Sequence, residues 1–123
     1  MTAGHFNGWI AVDFDGTLVE YDKWVSATNI GAPIQPMVDR VKLWLSEGKD
    51  VRIFTARVYA PTDDYVRQDD AARALLAIQD WCFAMFQRVL PVTCVKDFGM
   101  IELWDDRCVQ LERNTGVRVD GGE

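Results

Sequence analysis

Asp13 and Asp15 stand one residue apart at the end of a short apolar run, Trp9-Ile10-Ala11-Val12, and are followed at once by Gly16 and Thr17. Side chains alternate along an extended chain, so both carboxylates point to the same side if the strand persists through them. Two like charges this close repel each other. They need a cation, a proton or hydrogen bonds between them, and a hard divalent ion such as Mg²⁺ suits carboxylate oxygens. A carboxylate displayed in this way can attack an electrophile, with the second carboxylate moving protons. Gly16 permits a sharp turn, and Thr17 adds a hydroxyl that can cap it. The same residues also suit a strand that ends in an Asp-Gly turn and does no chemistry.

The elements that position these acids are legible from the apolar pattern. Ile10, Ala11 and Val12 have the character of a strand buried on both faces, whose carboxyl end is where ligands bind in open α/β sheets. Leu18 to Pro33 has no sustained period and reads as a loop or small hairpin. Met37, Val38, Val41, Trp44 and Leu45 recur at helical spacing, and Gly48 stops the helix, which is expected over 36–47. Asp50 to Thr55 reads as a second strand, which completes a right-handed parallel crossover unit. A polar loop over 57–67 then leads to a helix expected to open at Asp69-Asp70, acids that favour a helix N-terminus, and to run to Phe86. Residues 91–95 and 101–104 read as third and fourth strands, with a short fifth possible over 109–111 and a loose tail from Asn114. Trp9, Trp44, Trp81 and Trp104 fall in these patterns and are expected in the core; His5, near the N-terminus, is assigned no role.

The bulk properties bound the possibilities. The chain has 123 residues, 49% of them apolar, enough for one domain with a single core. A net charge of −6 disfavours nucleic acid as a partner. Cys82, Cys94 and Cys108 form no Cys-x-x-Cys pair, and their odd number suggests reduced, core-type thiols rather than a disulfide framework or a zinc site. No apolar stretch approaches the roughly 20 residues of a membrane span, and the N-terminus lacks the pattern of a secretory signal. A soluble protein of the cytoplasm is expected.

The strand ends thus present Asp13 with Asp15, Thr55, Lys96, and Asp105 with Asp106, all on one rim of a parallel sheet. This is an inventory for phosphoryl transfer through an aspartyl phosphate. Each residue also has a plainer use. Thr55 can cap a turn, Lys96 can be an ordinary solvated lysine, and Asp105-Asp106-Arg107 can be a surface ion-pair cluster.

Taken together, Asp13-Phe14-Asp15-Gly16-Thr17-Leu18-Val19, Ile53-Phe54-Thr55, Lys96 and Asp105-Asp106 resemble, in order, the four motifs of the haloacid dehalogenase superfamily, over nearly the whole chain. The resemblance implies a three-layer, Rossmann-like α/β fold with a parallel sheet of four or five strands and flanking helices. It implies Asp13 as nucleophile, Asp15 as general acid and base, Thr55 as a hydrogen-bond donor to a phosphoryl oxygen and Lys96 as charge stabiliser. Mg²⁺ would be held by Asp13, Asp15, Asp105 and Asp106, with the Asp15 backbone carbonyl as a further ligand. The interval from Thr17 to Pro36 leaves no room for the cap domain of many relatives. The expected activity is Mg²⁺-dependent hydrolysis of phosphomonoesters, on a small molecule or an exposed macromolecular phosphate, with a neighbouring subunit as a conceivable lid. A phosphotransferase would use the same residues. A receiver-like phosphoacceptor and a catalytically silent metal-binding domain are the alternatives. Arg57, Trp24 and Arg107 are candidate substrate contacts, each with a structural alternative in ion pairing or packing.

Overall fold

A computed structural model describes residues 7–123, so His5 lies outside the described residues. The elements run β1 (Trp9–Asp13), α1 (Gln35–Ser46), β2 (Asp50–Phe54), α2 (Tyr65–Phe86), β3 (Val92–Thr93) and β4 (Met100–Trp104). The four strands form one parallel sheet in the order β3-β2-β1-β4. This is a Rossmann-like α/β fold without a cap domain among the described residues.

The core follows from strand alternation. Ile10 and Val12 of β1 sit opposite Val51 and Ile53 of β2, so these four side chains share one face. Against them pack Met37, Val38, Val41 and Trp44 of α1 and Ile78, Cys82 and Phe86 of α2, in a single cluster. Each such residue, fully buried, contributes about 1.5–3 kcal/mol relative to exposure. Trp44 meets Trp104 edge to face at 5.0 Å between ring centres, and Trp81 meets Phe14 at 5.3 Å. Both helices therefore cover the same face. On the other side the third layer is the β3–β4 connection rather than a helix: the Trp9 indole donates to Asp97 Oδ1 at 2.9 Å, and its amide donates to Gly99 O at 2.7 Å. That hydrogen bond from Trp9, with one from the Gly99 amide, holds the Asp97 carboxyl below its usual pKa.

Several boundaries differ from the sequence expectation, each for a local reason. The second helix opens at Tyr65, where the Asp64 carboxylate accepts the Arg67 amide as N-cap. Its first turn carries Tyr65 and Val66, which are 84% and 73% exposed, so the turn adds nothing to the apolar period. Asp69 and Asp70 consequently lie in the second turn. The third strand stops at Thr93, whose hydroxyl accepts the Val95 amide at 3.0 Å and turns the chain. No fifth strand joins the sheet among the described residues. Instead, residues 110–119 fold back as a ribbon, with Leu111 bridged to Arg118 and Val119 N–H bonded to Gln110 O. Of the thiols, Cys82 alone is in the core, where burial pushes it up to about 11; Cys94 is half-buried and Cys108 is exposed.

Candidate active site

The turn after β1 is built around one carbonyl. Phe14 O accepts the amides of Leu18 and Val19, while the Gly16 amide donates to Val19 O at 2.8 Å. Gly16 has φ +85°, and a Cβ placed there would lie 2.5 Å from Asp106 Oδ2. Glycine is therefore required twice, by the backbone and by the carboxylate against it. Thr17 ties the two ends of the site together. Its Oγ1 lies 3.3 Å from Asp13 Oδ2 and 3.3 Å from Asp106 Oδ1, and it accepts the Asp106 amide at 3.0 Å. One hydroxyl proton serves those two carboxylates in turn.

Carboxylate oxygens of Asp13, Asp105 and Asp106 lie within 4.8 Å of one another. Asp13 shows the electrostatic consequence: burial and then the adjoining charges of Asp105 and Asp106 push its carboxyl up to about 7, against a smaller opposing effect of the Thr17 hydrogen bond. A cluster of hard oxygen donors that cannot comfortably ionise together fits a divalent cation such as Mg²⁺. Asp15, expected among the metal ligands, does not join the cluster with its side chain. Arg57 takes it instead, Nε to Oδ2 at 2.7 Å and Nη2 to Oδ1 at 2.8 Å.

That pair is well enclosed, with side-chain exposures of 5% for Arg57 and 20% for Asp15. Arg57 also donates to Ala27 O at 3.3 Å and lies between two aromatic rings, 5.8 Å from the centre of Phe14 and 5.2 Å from that of Trp24. Thr55 explains how the arginine arrives there. It is buried at the end of β2, and its Oγ1 accepts the Arg57 amide at 3.1 Å, capping the short 3-10 turn Ala56–Val58. The capping use and a place in the site are thus compatible, because Thr55 also lines the cavity.

The cavity at this rim has a volume of about 500 Å³. It brings together Asp13, Asp15, Thr55, Arg57, Trp24, Asp105 and Arg107, while Asp106 stands beside Gly16. Lys96 is not brought in. With β3 ending at Thr93, it falls in the exposed connection that runs on to Asp97, and it is absent from the cavity lining. The cations that do line it are Arg57, Arg67 and Arg107. Sequence reasoning missed Arg67, Asp70 and Tyr59 as lining residues. The signal for the first two was the Asp64 cap, which places Arg67 and Asp70 one turn apart on α2.

No family model matches the chain, and no curated protein matches it. Among solved structures it is similar to a conserved protein from Bacteroides thetaiotaomicron, with 24% identity and a TM-score of 0.52, over 81% of this chain and 76% of that one. The likeness is one of fold.

Proposed function

We propose that the protein is a divalent-metal-dependent phosphomonoester hydrolase that works through a phosphorylated Asp13. The observation that carries this reading is the division of labour between two carboxylates on one strand end: Asp13 faces Asp105 and Asp106, and Asp15 faces Arg57. Asp13, Asp105 and Asp106 would hold Mg²⁺, which when bound would offset the charge of the phosphate and polarise its oxygens.

The chain's own residues account for the remaining chemistry. An Asp13 oxygen attacks phosphorus, a P–O bond to Asp13 forms, and the bond to the leaving oxygen breaks as that oxygen takes a proton from Asp15. Water then attacks the aspartyl phosphate and gives its proton to Asp15, which releases inorganic phosphate and restores Asp13. General acid/base assistance of this kind is worth about 10²–10⁴-fold. The Arg57 fork occupies one lone pair on each Asp15 oxygen and leaves the other for proton transfer, so it orients Asp15 without exhausting it. Thr55 would donate to a phosphoryl oxygen while its own oxygen accepts the Arg57 amide. Arg107, whose amide is bonded to Asp105 Oδ1 at 2.8 Å, is the candidate to meet phosphate charge that was expected of Lys96.

The test is phosphate release from a panel of phosphomonoesters with Mg²⁺. Asp13→Asn is expected to reduce kcat by on the order of 10³-fold or more, and Asp15→Asn to slow breakdown so that acid-quenched protein retains phosphate. Turnover unaffected by Asp13→Asn, or absent across the panel with wild type, refutes the proposal.

A further inference from the structure

The cavity is lined by more than the acids, and the composition of the rest of its lining is selective. Three half-exposed aromatic residues line it: Tyr21 is 39% exposed, Trp24 49% and Tyr59 54%. Opposite chemistry comes from α2, where Arg67 and Asp70 both line the cavity one helical turn apart. The neighbouring Asp69 is neutralised by Arg73 at 2.8 Å, but the side chains of Arg67 and Asp70 make no ion pair or hydrogen bond among the described residues. A fork of donors and a carboxylate acceptor therefore line one cavity together with aromatic rings, with their hydrogen-bonding capacity unspent.

We infer that the leaving group of the substrate is a nucleoside, with its heteroaromatic base stacked on this aromatic wall and its edge read by Arg67 and Asp70. The inference rests on the phosphatase reading and names its substrate class. A nucleobase edge offers N–H donors next to carbonyl or ring-nitrogen acceptors, the complement of a carboxylate beside a guanidinium. Sugar or glycerol phosphates would leave the aromatic wall unused, and a plain aryl phosphate would leave Arg67 and Asp70 without partners. A space of about 500 Å³ lies within the usual range for small-molecule sites. The net charge of −6 opposes a polynucleotide, so a mononucleotide is the occupant the chain favours.

The experiment compares kcat/KM for nucleoside 5′-monophosphates, phenyl phosphate and glycerol phosphate, with Mg²⁺, in wild type, Asp70→Asn, Arg67→Gln and Tyr59→Leu. In parallel, calorimetry measures binding of the free nucleosides, which needs no turnover. The expected result is a preference of at least about tenfold for a nucleotide over both other esters, since a stacked base is worth roughly 5- to 150-fold in binding. Asp70→Asn and Arg67→Gln should bring the nucleotide-to-phenyl-phosphate ratio toward one, and Tyr59→Leu should lower the ratio to glycerol phosphate. Equal turnover of all three esters without nucleoside binding overturns the nucleoside site and leaves the phosphatase reading standing. If no ester is turned over, the phosphatase reading fails, and the nucleosides decide: saturable binding weakened by Asp70→Asn supports the site, and no binding overturns it.

Discussion

Asp13 and Asp15 are separated by one residue, yet they occupy opposite electrostatic settings. On the Asp13 side, three acids converge on one turn and the carboxyl is driven up to about 7. On the Asp15 side, a guanidinium enclosed by Phe14 and Trp24 grips the carboxylate through two short hydrogen bonds. Phe14, the residue between them in sequence, is buried in the core. The lesson is that local spacing places a pair of acids on a rim, but long-range partners assign them different work. One region is short of positive charge, and the other carries its own.

The sharpest way to break this comparison is to remove each charge and measure stability in metal-free buffer. Asp15→Asn leaves Arg57 enclosed without its counter-charge, and breaking such a pair costs on the order of 3 kcal/mol. Asp13→Asn removes a repulsive charge and should raise the urea midpoint under the same conditions. Equal shifts in both variants would show that the two regions are electrostatically alike. A smaller loss, about 1–3 kcal/mol, is expected for Gly16→Ala, from the positive φ and the approach of the new Cβ to Asp106. Its signature should be weakened Mg²⁺ binding by calorimetry as well as a lower urea midpoint.

The acid side was the more legible in the sequence because its residues stand at strand ends: Asp13 closes β1 and Asp105-Asp106 follow β4. An apolar run marks where such residues must surface, so their convergence follows from a parallel sheet. The arginine side rests on a pairing across 42 positions of chain, for which no local spacing gives a signal. The Thr55 cap that steers Arg57 is a three-residue event with no periodic signal. The same limit hid the start of α2, whose exposed first turn leaves only the Asp64 cap to announce it.

Titration gives a subtler separation. The Asp13 carboxyl is raised from 3.8 to about 7 in the fold, so the folded chain holds that proton more tightly than the unfolded chain does. Its contribution to stability is therefore full below about pH 4 and is lost as pH rises toward and through 7. Without divalent ions, Tm should fall between pH 5 and pH 8. Asp13→Asn should flatten that slope, and Mg²⁺ should flatten it in wild type by supplying the missing positive charge. A slope unchanged in Asp13→Asn would place the titrating group elsewhere.

The smallest effect is expected where the sequence suggested one of the largest. Lys96 occupies the order of a charge-stabilising lysine, yet β3 ends at Thr93 and the following chain is drawn across the back of the sheet by Trp9, Asp97 and Gly99. Its side chain is exposed, and it does not line the cavity. Lys96→Ala should therefore change kcat/KM by no more than about twofold, the usual range of a surface substitution. Arg107→Gln, at the cavity, should cost roughly tenfold or more, as loss of a charged hydrogen-bond donor to phosphate would. The reverse ranking would mean that the β3–β4 connection, rather than the turn after β4, supplies the positive charge opposite Asp13.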